Sequence, residues 1–298
     1  MAGRKRLASF GASFHVGGMN FPQYWALGRS GGFSCWRSSA HSQAEAQTLA
    51  NQAAQQLAER YRAGNFANAG GSGGGYYPNR PLRELVLQEV KNNTGELSAV
   101  VTRNSYGCLV LNTAQVMFVD IDLPEPKRPG LFQRLFGKPA PAAPANTPES
   151  ALAKIEGWTR QHPEWGWRIY RTRAGLRLLA MQGLVAADSE ATRGVFQALG
   201  ADPLYQKLCQ TQNCFRARLT PKPWRCGLNE KPERWPWRDG RAEKQFDQWA
   251  ARYQTNSAAW ATCEFLRHTG NPAVHPEVQA LLKLHDDATR ADSKLPLA

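Results

Sequence analysis

Apolar positions along this chain recur at two spacings, and the spacing assigns each stretch: three to four residues for a helix face, two for a strand face. From Ser42 the spacing is helical. Ala46, Leu49, Ala50, Ala53, Leu57 and Tyr61 share one face, Ser42 with Glu45 three positions on has the form of a capping box, and Gly64 is a natural stop. Residues 33–37 (FSCWR) predict a short strand before it. Pro81 suits a first helical turn, and Leu82, Leu85, Val86 and Val90 predict a helix running to Asn92 and Asn93. Alternation then takes over. Residues 98–104 and 108–111 read as strands around a turn at Ser105, Tyr106 and Gly107, and 116–123 (VMFVDIDL) as an apolar strand carrying two aspartates.

In the second half, Thr147-Pro148-Glu149 opens a helix to about Arg160, and residues 167–171 and 176–181 predict a hairpin around Arg173, Ala174 and Gly175. Helical spacing covers 188–199 and 202–209, and residues 214–219 (CFRARL) alternate as a strand. A tryptophan-rich stretch with Trp224, Trp235 and Trp237 leads into three expected helices at 243–253, 258–268 and 276–289. Residues 70–75 are a glycine-rich loop without the trailing Lys-Ser/Thr of a phosphate loop. The Pro-rich stretch 124–148, with Lys127, Arg128, Arg134 and Lys138, reads as an insertion with a solvated surface. No internal repeat is present. The pattern predicts an α/β chain of the α+β kind in three parts: an N-terminal α/β segment at 1–95, a central unit at 96–226, and a helical C-terminal segment at 227–298.

Composition narrows the classes. The 298 residues are 42% hydrophobic and 20% charged, enough to bury a sizeable core and against a wholly disordered chain. No run is long and apolar enough for a membrane span, and the basic start lacks the apolar run of a secretory signal. Six cysteines in this length are no disulfide framework, so the expected setting is cytoplasmic. Lys and Arg total 37 against 24 Asp and Glu, a formal charge of +13. That excess favours polyanionic partners: nucleic acid, a nucleoside triphosphate or an acidic membrane surface.

The sharpest candidate chemistry is Asp120 and Asp122. Positions i and i+2 of a strand project from one face, so the two carboxylates can share Mg²⁺ or Mn²⁺, which offsets their repulsion. A strand that simply ends at the surface is the bland alternative. Arg168, Arg171, Thr172, Arg173, Gly175 and Arg177 lie on and around the predicted hairpin. Arginine forks match phosphate oxygens, and a solvated strand face gives the same pattern. Alternation places Arg171 and Arg173 on one face. A third segment interleaves Phe215, Arg216, Arg218, Lys222 and Trp224, the mixture that phosphate contact plus base stacking requires, and an edge strand running into a Pro-stiffened loop gives the same pattern. Asp202 is either a helix cap or a third carboxylate. The cysteines lack paired zinc spacing, and His285-Asp286 reads as a dipeptide on a surface helix.

In order, these segments resemble the archaeo-eukaryotic primase superfamily. Val119-Asp120-Ile121-Asp122 resembles the acidic strand of that family's palm. The stretch from Arg171 to Arg177 resembles its nucleotide-contacting strand-turn-strand, with Arg177 where the family has a histidine. Asp202, followed by Phe215 to Lys222, resembles its third acidic residue and basic segment. The resemblance spans about residues 97–225. It implies a palm-like sheet backed by helices, with Asp120, Asp122 and Asp202 catalytic and two divalent ions at the acidic residues. Arg171, Thr172, Arg173, Gly175 and Arg177 would lie on the triphosphate, and Arg216, Arg218 and Lys222 on the nucleic acid. Three readings follow: a primase-polymerase-like nucleotidyltransferase, a metal-dependent nuclease or phosphodiesterase, and a non-enzymatic basic nucleic-acid-binding protein.

Overall fold

The computed structural model describes residues 14–16, 19–64, 81–123 and 147–298. Residues 70–75 and all but the last two positions of 124–148 lie outside that set. The fold is α+β, with antiparallel sheets backed by helices. Two short hairpins come first: β1 (Phe14–Val16) with β2 (Met19–Phe21), and β3 (Tyr24–Ser30) with β4 (Phe33–Ser39). Helix α1 (Gln43–Arg62) lies on the second hairpin through a row of alanines, Ala46, Ala50, Ala54 and Ala58. Small residues let the backbones approach closely. A Cβ on Gly28 of β3 would sit 2.0 Å from the Ala50 carbonyl oxygen, so only glycine fits there.

One four-stranded sheet has the order β11 (Phe215–Arg218), β7 (Leu109–Thr113), β6 (Leu97–Arg103), β5 (Leu85–Lys91). The other has the order β12 (Cys263–Gly270), β9 (Gly166–Thr172), β10 (Gly175–Ala180), β8 (Phe118–Asp122). Both contribute to one apolar core that includes Leu111, Phe118, Leu178, Ile169, Phe196, Phe215 and Leu281. Helix α2 (Pro148–Gln161) sends Trp158 against Trp167 on one face of the second sheet. Helices α3 (Glu190–Leu199) and α4 (Pro203–Gln212) add Phe196 and Tyr205 to that core. Helix α5 (Gly240–Ser257) builds a satellite cluster around Trp249, and α6 (Pro276–Thr289) covers the opposite sheet face with His285 against Phe118 and Tyr170.

Two helices expected from spacing are strands. The stretch expected as a helix from Pro81 to Asn93 forms β5, and the one at 258–268 is the turn after α5 followed by β12. Both are edge strands, and both carry register shifts: β5 between Val86 and Gln88 and again between Val90 and Lys91, β12 between Phe265 and Arg267. A bulge inserts a residue and breaks the period of two, so the apolar spacing mimics a helix. The capping box is also half-formed. The Ser42 hydroxyl accepts from the Glu45 N–H, but the Glu45 carboxylate accepts a hydrogen bond from the Ser39 hydroxyl at 2.5 Å.

Candidate functional site

β8 is an edge strand, and α4 covers its open side. The Asp202 N–H donates to the Asp120 carbonyl at 2.8 Å and the Tyr205 hydroxyl to the Phe118 carbonyl at 2.9 Å. Satisfying an exposed strand edge in this way removes a site for non-native pairing. It also brings Asp202 next to the acidic strand. The Asp202 carboxylate caps α4 by accepting the Tyr205 N–H at 2.7 Å.

Register then decides what the acidic pair does. Asp120 faces Arg177 across β8 and β10, and Arg177 faces Tyr170 across β10 and β9. The guanidinium grips the carboxylate with both forks, Nε to Oδ1 at 2.7 Å and Nη2 to Oδ2 at 2.9 Å. Arg177 is 1% exposed. Burial alone would depress its pKa, and the Asp120 carboxylate more than offsets this, holding it above the ordinary arginine value. Its Nη1 donates to the Arg218 carbonyl at 2.8 Å, tying β10 to the end of β11.

Behind Arg177 lies a buried polar chain. Arg177 Nη1 stands 3.5 Å from His285 Nε2, and His285 Nδ1 is 3.1 Å from Asp286 Oδ1. Guanidinium offers only donors, so Nε2 is the accepting nitrogen and Nδ1 carries the proton toward Asp286. Burial pushes the His285 pKa down, consistent with a neutral ring. Asp286 also accepts the Tyr170 hydroxyl at 2.6 Å and pairs with Arg168 at 2.7 Å. Burial opposes its ionisation, but the hydrogen bonds from His285 and Tyr170 hold its pKa below the usual carboxylate range. The dipeptide expected on a surface helix is therefore buried, His285 completely, because α6 turns that face onto the sheet.

Asp122, exposed at the end of β8, has its pKa raised by partial burial and then by the Asp202 and Asp120 carboxylates, with Lys222 and Arg218 opposing. Lys222 has its pKa lowered by burial and by Arg218 and Arg225, with Asp122 opposing. The Arg218 Nε is buried with no partner among the described residues. Lys222 Nζ sits 5.5 Å over the Trp224 ring, and Trp224 meets Tyr106 edge-on at 5.3 Å. Trp224 is 45% exposed. Tyr106, read from the sequence only as a turn residue, is thus part of this surface.

The structure brings together Asp120, Asp122, Asp202, Arg218 and Lys222, with Arg177 beneath them. It does not bring the other arginines there. Arg171 is exposed, faces Leu176 and Glu264 in the register and lies on the sheet face opposite Arg177; Arg173 is exposed in the turn. Thr172 and Gly175 pair beside Asp122, and a Cβ on Gly175 would meet the Ile121 carbonyl at 2.0 Å, so this glycine serves strand packing. Arg216 is buried against Glu84, both Glu84 oxygens lying within 2.9 Å of Nη2, and Glu84 also accepts the Thr102 hydroxyl at 2.6 Å. Glu84 lies 132 positions away in the chain, and nothing in the local pattern announces it. Among the described residues no group of three or more His, Cys, Asp and Glu side chains is placed to hold a metal ion, and no helix is long and apolar enough to cross a membrane.

Comparison with protein-family models, with curated proteins and with solved structures returned no match.

Proposed function

We propose that this chain binds single-stranded nucleic acid on the surface formed by Tyr106, Trp224, Lys222 and Arg218, with Asp120 acting as the fixed counter-charge of Arg177. The observation that supports it is Trp224: a large aromatic face left 45% exposed, braced by Tyr106 and flanked by the Lys222 cation. An indole face stacks on any base, and the adjacent cations suit the phosphates on either side of it. The net charge of +13 favours the same partner.

The test is fluorescence anisotropy with a labelled single strand across a salt series. Trp224→Ala is expected to weaken binding by about 1–3 kcal/mol, the usual contribution of one stacked base. Lys222→Ala is expected to flatten the slope of log K against log salt by about 0.7, one phosphate contact on a single strand. Unchanged affinity in both variants rejects the surface.

A second reading rests on Asp122, whose carboxyl is disfavoured as an anion by partial burial and then by the neighbouring Asp202 and Asp120 carboxylates. Arg177 occupies both oxygens of Asp120, so Asp122 and Asp202 are the acidic groups that would hold Mg²⁺ or Mn²⁺ here. Such an ion would relieve their repulsion and supply Lewis-acid chemistry for phosphoryl transfer, as a nucleotidyltransferase or a nuclease requires. Calorimetric titration of Mn²⁺ with a non-hydrolysable nucleoside triphosphate present decides it. Binding that disappears in Asp122→Asn/Asp202→Asn supports this reading, and identical titrations dismiss it.

A further inference from the structure

A cavity of about 640 Å³ opens between the β3–β4 hairpin, the Asn104–Tyr106 turn and the loop before α5. That size lies within the range of small-molecule sites. Its walls are aromatic and cationic. Trp36, Trp235, Trp237 and Phe246 contribute ring surface, and Arg83, Arg103, Lys231 and Arg234 contribute positive charge.

The charges are not balanced from within. Among the described residues two carboxylates line the cavity, Glu84 and Glu233, and Glu84 is held by Arg216 and Thr102. Neither Arg83 nor Arg103 forms an ion pair with a carboxylate among the described residues. Arg83 instead stacks over Trp36 at 4.5 Å, and Arg103 lies over Phe246 at 5.5 Å while donating to the Gly107 carbonyl. Arg83 has its pKa lowered by burial and by Arg234, and Arg103 has its pKa lowered chiefly by burial. Partly buried guanidinium groups gathered without a counter-anion are unfavourable until an anion joins them. Two further donors in the walls, Arg103 Nε and the Trp237 indole N–H, are buried with no acceptor among the described residues.

We propose that this cavity is a binding site for one nucleotide unit, its base stacked among the tryptophans and its phosphate held by Arg83 and Arg234. The ring surface suits the flat base, and the guanidinium forks suit the phosphate oxygens in a way that neither an apolar ligand nor a bare anion would use in full. The unit comes from a free nucleotide or from a strand. Tyr106 lines the cavity and also contacts Trp224, so a strand on the surface proposed above reaches the cavity without a gap. Only that second source rests on the nucleic-acid reading.

The experiment is calorimetry on the full chain with adenosine 5′-monophosphate, with a short oligodeoxyadenylate, and with inorganic phosphate. Wild type is compared with Arg83→Ala/Arg234→Ala and with Trp224→Ala. Arg234→Glu alone, at an exposed position, serves if the double variant does not fold. The expected result is a tenfold or greater loss of affinity in the arginine variants for at least one nucleotide ligand, with inorganic phosphate much weaker. Loss with the monophosphate identifies a free nucleotide as the ligand, and loss with the oligomer alone identifies the strand. Nucleotide binding that ignores the arginine changes, or that inorganic phosphate matches, overturns the cavity proposal. If Trp224→Ala weakens the oligomer while the arginine changes do not, the cavity fails and the outer surface stands; the reverse pattern retains the cavity and rejects the surface. No binding of any ligand by wild type overturns both.

Discussion

Asp120 is the position at which a structural and a catalytic role diverge most sharply in what they forecast. Asp120→Asn keeps the size of the side chain and removes the charge that both forks of Arg177 grip at 2.7 and 2.9 Å. Arg177 is 1% exposed and cannot turn to solvent, because Nη1 is tied to the Arg218 carbonyl and packed against His285. The variant therefore retains a buried cation whose partner is gone, a change that costs about 3–5 kcal/mol. The Asp120 side chain is 27% exposed, so water reaches one side of the pair and the lower end, about 3 kcal/mol, applies. Against a total stability of roughly 5–15 kcal/mol, that is a large fraction. It corresponds to a fall in Tm of about 6–12 °C, by the scaling for large domains. Urea unfolding followed by tryptophan fluorescence, alongside a thermal melt, measures it. The double variant Asp120→Asn/Arg177→Met should recover much of the loss, since it removes the buried cation that Asp120→Asn leaves without a partner. A loss below about 1 kcal/mol for Asp120→Asn would refute the reasoning, because the buried guanidinium would then not depend on this carboxylate.

Asp122→Asn, two residues along the same strand face, should have the opposite sign. A carboxyl whose folded-state pKa is raised binds more protons folded than unfolded, so it lowers stability at neutral pH and ceases to do so once acid protonates it. The Tm gain of Asp122→Asn should thus be present at pH 7 and vanish as the pH falls below about 4, the ordinary carboxylate range; a gain that persists in acid contradicts the assignment. Glu84→Gln should destabilise by about 3 kcal/mol or more, since Arg216 and its carboxylate are each 6% exposed, and denaturant midpoints read this directly. Gly28→Ala should detach α1 from the β3–β4 hairpin, because its Cβ would stand 2.0 Å from a backbone oxygen that cannot yield without moving the helix. Faster hydrogen exchange and proteolysis across residues 43–62, with the central sheets still protected, is the expected reading; an unchanged pattern is the refuting one.

Much of the local architecture was readable in one dimension. α1 has its cap at Ser42, α2 its cap at Thr147, and α4 its cap at Asp202, each with a side-chain oxygen on a first-turn N–H. The β9–β10 hairpin and the acidic strand also form where period and turn residues place them. These features depend on residues within a turn or two of one another, and that range is what periodicity and capping rules describe. Edge strands β5 and β12 break the rule because their bulges interrupt the period of two that spacing reads, and β12 also takes its register from β9, far away in the chain.

What the candidate site can do was decided only by tertiary structure. From sequence, Asp120 and Asp122 were equivalent, as were Arg216 and Arg218. Pairing β8 with β10 put Arg177 opposite Asp120 and left Asp122 at the strand end among Asp202, Arg218 and Lys222. The first sheet buried Arg216 on Glu84 and left Arg218 with its carbonyl on Arg177. Packing of α6 likewise turned His285 and Asp286 inward. A charge takes its role from its partner and its access to water, and both are set by strand register and by contacts between residues far apart in the chain.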